Sequence, residues 1–487
     1  MAMKEDWSFL DKISMGAKAT VKVTELLGKQ GHRIIELERY SSSNKMWSTK
    51  IKRLRLADLL CLNCGRRIES RAKSKLGIIM SDSPTNNDRR WDVGLRDEDL
   101  VALINCKKSE SGEWVAAENV NLFCIGDLRA TEPLSKLGPP KSASEGAERD
   151  RTWESYVPGF NGKVVGIDND KIRFIKEDGK RFSKTIQENQ HVFVSNEEHI
   201  IGGTKIVSSI VNSTAQLCCD ARRYDFITDL DSPQNETKYC AVKALGFLPE
   251  IREDSIPKLQ ELLIDDELDE RIKLELHSTL IRLGLDVWSY FENYYTSDAT
   301  QAYLMESVLI LGELSDFDKA KEILLSVASN EELHSEIRAA AIWSMGSQPI
   351  LQREILKFIA DNDKVVSTHA IAILEKMANE DITANLIGYF GEDSAVNAAI
   401  ARIISQLNNL NDREIVRAFV NSDNDMVKNW LLYSIGLSGR ERFEGLIDEL
   451  DTQPEKTKDS VLLLWDNNRN WITREVTDGI EFLKLQN

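Results

Sequence analysis

The C-terminal part of this chain repeats an amphipathic helical pattern about every 30 residues, and few folds accommodate such a pattern. Eight segments carry Ala, Leu and Ile at the spacing of one helical face: 236–248, 268–283, 299–314, 333–345, 364–377, 394–407, 425–437 and 456–464. Second helices are predicted after short breaks at 255–263, 318–328, 352–360, 381–390, 412–420 and 440–449. One such hairpin cannot bury its apolar face alone, so the pattern predicts helical pairs stacked into an α-solenoid.

Residues 212–487, which contain this pattern, resemble HEAT-like repeats. The part of the chain that follows residue 210 holds 27 basic and 49 acidic side chains, a net charge of −22. A strongly acidic surface repels the phosphate backbone of DNA and suits protein partners better. The sequence therefore predicts a protein partner that binds through the solenoid.

The rest of the chain is divided by composition into three further parts. Residues 1–130 mix helical and strand patterns, and the acidic cluster at residues 97–99 predicts the start of a helix. Residues 131–157 are rich in Pro, Gly and Ser and predict a linker. Residues 158–211 contain short strand patterns between turn signals and predict a small β-barrel or barrel-sandwich-like domain. The expected fold class is a multidomain α+β chain.

A short hairpin pattern in the first part carries the residues with the clearest chemistry. A Cys-x-x-Cys-Gly turn at residues 61–65 separates a strand start that carries Asp58 from a strand that carries Glu69. The hairpin should bring these two carboxylates together, and Arg71 and Lys73 should share the face of Glu69, because side chains two apart in a strand do so. Paired carboxylates bind hard divalent cations, which activate water and polarise a phosphodiester.

The same residues resemble the catalytic hairpin of the methyl-adenine-directed type II restriction endonucleases, which have the PD-(D/E)xK nuclease fold. The resemblance implies an N-terminal restriction-endonuclease-like α/β domain in which Asp58 and Glu69 bind Mg²⁺. Arg71 stands where that family has its catalytic lysine, and Lys73 matches the second lysine of the family motif. The chain also departs from the family because no cysteine precedes Cys61.

Basic side chains surround the two carboxylates in the sequence. Residues 45–75 contain ten Lys and Arg side chains and only two acidic ones, although the whole chain has a net charge of −17. Such a local excess suits a phosphodiester-binding cleft, and a solvated basic surface is the alternative. The predicted DNA-binding residues are Lys52, Arg53, Arg55, Arg66, Arg67 and Lys75.

Four cysteines of the first part predict a structural zinc site. Cys61 and Cys64 form the turn described above, and Cys106 and Cys124 bracket a second hairpin pattern. Four thiolates suit tetrahedral Zn²⁺. The alternative is that these cysteines are structural thiols without a metal.

Several classes of protein are disfavoured by the sequence. There is no uninterrupted apolar run long enough to span a membrane, and residues 1–20 do not resemble a secretory signal, so a cytoplasmic protein is expected. A P-loop and the sequence context of a Ser/His hydrolase are also missing.

Two functions follow from these patterns. The first is a metal-dependent DNA endonuclease with a HEAT-like scaffold, of the kind that serves prokaryotic restriction or phage defence. The alternative is a catalytically inactive nucleic-acid-binding adapter whose solenoid recruits a protein partner.

Overall fold

The computed structural model describes residues 7–37, 47–49, 54, 56–74, 78–86, 90–109, 113–138, 149–210, 219, 223–346, 351–443 and 445–446. These residues form two compact units. The first contains most of the described chain up to residue 286, and the second contains residues 47–49 and the helices that follow residue 286. A sheet-rich N-terminal region precedes a helical C-terminal region, as the sequence predicts.

A five-stranded mixed sheet and one long helix form the centre of the N-terminal region. The helix is α1 (Trp7–Lys29), and the strands are β1 (Ile34–Glu36), β2 (Leu59–Cys61), β3 (Arg67–Lys73), β5 (Leu100–Lys108) and β6 (Trp114–Cys124). The strand order is β1-β2-β3-β5-β6, and only the central pair β3–β5 is parallel. Ala19, Val23 and Leu27 of α1 pack on one face of this sheet, where they are fully buried.

The prediction of a helix start at residues 97–99 is wrong, because β5 begins directly after them. The first seven residues of β5 are buried, with Ala102 facing α1 and Leu103 facing the opposite side of the sheet. A strand buried on both faces is a continuous apolar run, which periodicity does not distinguish from a buried helix. The acidic cluster instead forms a turn whose carbonyl groups accept the amides of Ile125 and Gly126 at the start of α2 (Ile125–Ala130).

The predicted linker, residues 131–157, supplies strands. β7 (Leu134–Leu137) and β8 (Arg149–Trp153) form a three-stranded sheet with β4 (Ile78–Asp82), in the order β4-β8-β7. Trp153 is buried beneath the central sheet, and its indole N–H donates to the carbonyl groups of Leu128 and Thr131, both at 2.9 Å. Residues that looked like a spacer therefore belong to the core of the first unit.

The predicted small barrel is also wrong, because the described strands between residues 155 and 208 form two open sheets. One has the order β12-β11-β10-β14 and the other β13-β15-β9. The strands are β9 (Ser155–Tyr156), β10 (Gly162–Ile167), β11 (Lys171–Lys176), β12 (Arg181–Thr185), β13 (His191–Val192), β14 (His199–Ile200) and β15 (Val207–Ser208). Val164, Phe174 and Ile206 are buried in the shared core between them.

The helical region begins within the first unit. Its helices there are α3 (Phe226–Asp229), α4 (Asn235–Leu245), α5 (Arg252–Leu262) and α6 (Glu270–Arg282). Helices α4 and α6 pack side by side, and α5 connects them and contacts both. Asp269 caps α6 by accepting the amide of Arg271, which satisfies an otherwise unpaired group at the helix start.

The second unit consists of helices that stack in pairs. They are α7 (Ser289–Tyr294), α8 (Gln301–Glu313), α9 (Asp318–Ser329), α10 (Ser335–Met345), α11 (Gln352–Leu356), α12 (Lys364–Met377), α13 (Thr383–Gly388), α14 (Ser394–Gln406), α15 (Asp412–Asn421), α16 (Asp425–Ser438) and α17 (Arg440–Phe443). Helices α8, α10, α12, α14 and α16 pack in succession, with the intervening helices beside them. This packing confirms the predicted series of helical pairs, whose last predicted segment, 456–464, lies outside the described residues.

Candidate functional site

One histidine and three cysteines converge at the edge of the central sheet. They are His32, Cys61, Cys64 and Cys219, and their ligand atoms all lie within 4.8 Å of one another. The Sγ atoms of Cys61 and Cys219 are 3.8 Å apart, and Sγ of Cys64 is 3.8 Å from Nδ1 of His32. None of the three thiols is disulfide-bonded. One imidazole and three sulfur atoms in a closed group are a ligand set for a soft or borderline metal ion.

The turn between β2 and β3 shapes this cluster. The amide of Cys61 donates to the carbonyl of Arg66 at 2.9 Å, and the amide of Gly65 donates to the carbonyl of Cys61 at 2.9 Å. Gly65 has a φ of +70°, which side chains rarely adopt. The turn therefore directs both thiols of the Cys-x-x-Cys pair to one point, as the sequence predicts for a metal-binding knuckle.

Backbone hydrogen bonds bring the other two members of the cluster to the turn. The amide of Leu62 donates to the carbonyl of Arg33, next to His32, at 2.8 Å. The amide of Tyr224, five residues after Cys219, donates to the carbonyl of Asn63 at 2.8 Å. These contacts join three chain segments that are distant in the sequence.

Mutual hydrogen bonding changes the acidity of the thiols. The contact with the Cys64 thiol lowers the pKa of the Cys61 thiol, and the same contact raises the pKa of the Cys64 thiol. Burial raises the pKa of Cys219. The contact between the two thiols therefore favours the deprotonated form of Cys61 over that of Cys64.

The predicted four-cysteine zinc site is not formed, because Cys106 and Cys124 lie apart from each other. Cys124 is opposite Leu100 in the sheet and Cys106 is opposite Ala116, so about 20 Å of strand separates the two cysteines. Burial raises the pKa of both thiols, to about 11 for Cys106, so both stay protonated. His32 and Cys219 take their places in the cluster.

Sequence reasoning missed these two members of the cluster. Cys219 is 158 positions from Cys61 and has no partner at a knuckle spacing. His32 is one of only six histidines in the chain, and this scarcity was the one signal that could have drawn attention to it.

We expect Gly65→Ala to destabilise the first unit strongly. An alanine Cβ would lie 2.3 Å from Cγ of Tyr224, and the positive φ adds strain of about 1–2 kcal/mol. Displacing the ring adds about 1–3 kcal/mol, as overpacking generally does. The urea midpoint of unfolding measures the effect.

Gly179→Ala is the matched control for this prediction. Gly179 also has a positive φ, of +78°, but a Cβ there would meet nothing within 4 Å. The free energy of unfolding of this control variant should fall only by the backbone strain, about 1–2 kcal/mol. Equal losses in the two variants would contradict the contact between Gly65 and Tyr224.

The predicted carboxylate pair lies beside the cluster on the same hairpin. Leu59 pairs with Ile68 and Leu60 pairs with Arg67, and the continuation of this register puts Asp58 opposite Glu69. The amide of Ser70 donates to the carboxylate of Asp58 at 2.7 Å. The hairpin therefore puts the two acidic residues at facing positions of its two arms.

The two predicted cationic residues share the face of Glu69. Ser70 contacts Thr20 of α1, so its neighbours Glu69 and Arg71 point to the opposite face of the sheet. An Nη2 atom of Arg71 is 2.7 Å from the Glu69 carboxylate, and the Arg71 side chain is 41% exposed. Burial lowers the pKa of Lys73, and the charge of Arg71 lowers it further.

Two buried polar atoms on this face lack a partner within the described residues. They are Nε of Arg71 and Oδ1 of Asn105. Asn105 lies beside Lys73 in the parallel β3–β5 pair, so its side chain belongs to the same row. Buried polar groups are normally hydrogen-bonded, so these two atoms are among the exceptions in the described residues.

The predicted DNA-binding residues are not all accessible to DNA. Arg67 is only 2% exposed, and its guanidinium donates to the carbonyl of Gly94 and the hydroxyl of Thr237. Its predicted role in binding DNA is therefore wrong. Arg66 is half-buried in the turn. Lys52, Arg53, Arg55 and Lys75 lie outside the described residues.

Comparisons with known proteins give little further information. No protein-family model matches the chain. No curated protein matches it either. Among solved structures, the complex of CpcE and CpcF of the phycocyanin lyase from Nostoc sp. PCC7120 is matched with 15% identity and a TM-score of 0.22. The match covers 50% of this chain and 93% of that chain.

Within the described ranges, every helix is too short or too polar to cross a bilayer.

Proposed function

We propose that the first unit is a metal-dependent nuclease that hydrolyses a DNA phosphodiester. The observation that carries this proposal is the opposition of Asp58 and Glu69 across the β2–β3 pair, with Arg71 and Lys73 following on the face of Glu69. Two acidic groups beside two cationic groups form the set that phosphodiester hydrolysis needs. The resemblance to PD-(D/E)xK nucleases gives the same roles to the same positions.

The residues fit a magnesium ion. Asp58 and Glu69 offer carboxylate oxygens, the ligands that Mg²⁺ prefers, and neither is fully buried. When bound, the ion neutralises phosphate charge and makes water a better nucleophile. These two side chains would hold it, and Asp58 keeps its orientation through the Ser70 amide.

The cationic residues have different roles in the proposed reaction. The guanidinium of Arg71 would stabilise the charge that develops on the phosphorus oxygens. The lowered pKa of Lys73 suits it to accept a proton from the attacking water. Water then forms the new P–O bond while the bond from phosphorus to the leaving sugar oxygen breaks.

The helical pairs fit a role in binding a protein partner. The chain after residue 210 has a net charge of −22, which disfavours contact with the DNA backbone. In this proposal the sheet region carries the chemistry, and the HEAT-like helices attach it to another protein, in restriction or phage defence.

A non-catalytic adapter is the second candidate, and one observation favours it. The Glu69 carboxylate is bound by Arg71 at 2.7 Å, and a guanidinium that stays on this carboxylate would compete with a metal ion. In that case the first unit would bind DNA without cutting it. The two candidates predict different outcomes of one assay.

Cleavage of supercoiled plasmid, with and without adenine methylation, tests the nuclease. We expect nicked or linear product with added Mg²⁺ or Mn²⁺ and none without a divalent cation. Asp58→Asn should lower the rate at least about a hundredfold, because the amide still accepts the Ser70 N–H but lacks the charge that binds metal. Asp127→Asn, a half-buried acid at the start of α2, is the matched control.

The outcomes separate the candidates. If wild type and Asp58→Asn both retain plasmid on a gel without cutting it, whatever metal and methylation state is used, the adapter is correct and the nuclease is not. If neither protein cuts nor retains DNA, both proposals fail.

A further inference from the structure

We propose that His32, Cys61, Cys64 and Cys219 bind one zinc ion that fastens three distant segments of the first unit together. The site is separate from the carboxylate pair and does not depend on the nuclease being active. It combines the Cys-x-x-Cys turn with one residue that precedes β1 and one that precedes α3.

The distances fit tetrahedral coordination. Thiolates at the usual zinc–sulfur distance of about 2.3 Å occupy corners about 3.8 Å apart in a tetrahedron. The Sγ atoms of Cys61 and Cys219 are 3.8 Å apart, which is also the distance from Sγ of Cys64 to Nδ1 of His32. A disulfide would need about 2.05 Å between sulfur atoms, so the observed spacing suits a shared ion better than a covalent bond.

The chemistry of the ligands selects the ion. Three sulfurs and one imidazole are borderline-soft ligands, whereas Mg²⁺ and Ca²⁺ require oxygen. Four protein ligands leave no position for a substrate, so this is a closed structural site. The Mg²⁺ proposed at Asp58 and Glu69 therefore has a different ligand set.

The surroundings are built to hold these four side chains in place. The side-chain amide of Asn63 donates to the carbonyl of Gly31, next to His32, at 3.1 Å. The backbone of Asn63 accepts the amide of Tyr224, and the Tyr224 ring covers Gly65. Hydrogen bonds thus already connect the turn to the segments before β1 and before α3. A bound ion would join the same three segments at one further point.

Such an ion would have a clear structural effect. Cys61 ends β2, three residues after Asp58, so the ion would anchor the hairpin that presents the carboxylate pair. Cys219 precedes the first helices, so the same ion would fix the start of the helical region to the sheet. Loss of the ion should loosen both connections together.

Metal analysis of the purified full-length chain tests the site. We expect one zinc per chain in the wild type, and Cys219→Ser and His32→Ala should each reduce zinc retention at least tenfold during dialysis against a mild chelator. Cys106→Ser and Cys124→Ser are matched controls that should keep one zinc, and so should Cys218→Ser, which changes the neighbouring cysteine. Loss of zinc from these three controls together with retention by Cys219→Ser would overturn the ligand set.

X-ray absorption at the zinc edge covers the case in which a variant fails to fold. Wild-type protein should show three sulfur neighbours at about 2.3 Å and one nitrogen at about 2.0–2.1 Å. A shell of four sulfurs, a shell dominated by oxygen, or wild-type protein that contains no zinc and binds no added Zn²⁺ or Co²⁺ would each disprove the proposal. DNA cleavage plays no part in these readouts, so they stand whether or not the chain is a nuclease.

Discussion

Replacing Glu69 by glutamine is expected to lower DNA cleavage about a thousandfold or more. The change removes one of two charges that would bind Mg²⁺, and it also releases Arg71, whose Nη2 lies 2.7 Å from the carboxylate. A thousandfold corresponds to about 4 kcal/mol in activation free energy, which is within the range for losing a metal ion from a hydrolytic site. Single-turnover cleavage at saturating enzyme measures the chemical step.

The double variant Asp58→Asn/Glu69→Gln sharpens this prediction. Residues that act as one unit are not additive, so the double variant should be about as slow as the slower single variant. The control is Glu118→Gln on β6, whose side chain is 69% exposed and pairs with Lys22. If the two single losses multiply in the double variant, Asp58 and Glu69 do not share one ion.

Replacing Asp99 by alanine is expected to cost the first unit about 3–5 kcal/mol of unfolding free energy. Asp99 is fully buried, and its carboxylate accepts the backbone amides of Arg67 at 2.9 Å and Arg96 at 2.6 Å. It also lies 3.3 Å from the Arg96 guanidinium. Removing Asp99 leaves two backbone amides unpaired in the interior and takes the buried acidic partner from Arg96, which explains the size of the effect.

Urea unfolding and hydrogen exchange measure this loss together. The amide of Arg67 begins β3, so its exchange in Asp99→Ala should approach the rate of an open strand end. Glu98→Ala is the control, because Glu98 is 53% exposed and a surface ion pair contributes little. Similar losses of unfolding free energy in both variants would show that the buried hydrogen bonds of Asp99 do not stabilise the hairpin.

The hairpin was predictable because its contacts are local. Asp58 and Glu69 are 11 positions apart, and the Cys-x-x-Cys-Gly pattern between them predicts the turn. Alternation then puts Arg71 and Lys73 on one face of a strand. The burial of Arg67 could not be predicted in the same way, because the groups that bind it, Gly94 and Thr237, come from distant parts of the chain.

The strands between residues 131 and 208 show where local reasoning fails. A Pro- and Gly-rich composition predicted a linker, yet β8 pairs with β4, which lies about 70 positions earlier. Short strands predicted a small β-barrel or barrel-sandwich-like domain, yet they form two open sheets. The choice of pairing partner depends on contacts between remote residues, and short strands carry little information about those contacts.

The sequence by itself determined the helical pairs and the hairpin of β2 and β3, because helical and strand periodicities act within a few residues. It also determined that Cys61 and Cys64 would lie together. Only the tertiary structure decided that His32 and Cys219, rather than Cys106 and Cys124, complete the cluster. The physical reason is that the ligand atoms of a metal site must lie within a few ångströms of one another. Cys61 and Cys219 are 158 positions apart in the sequence, so their proximity depends on the packing of the whole unit.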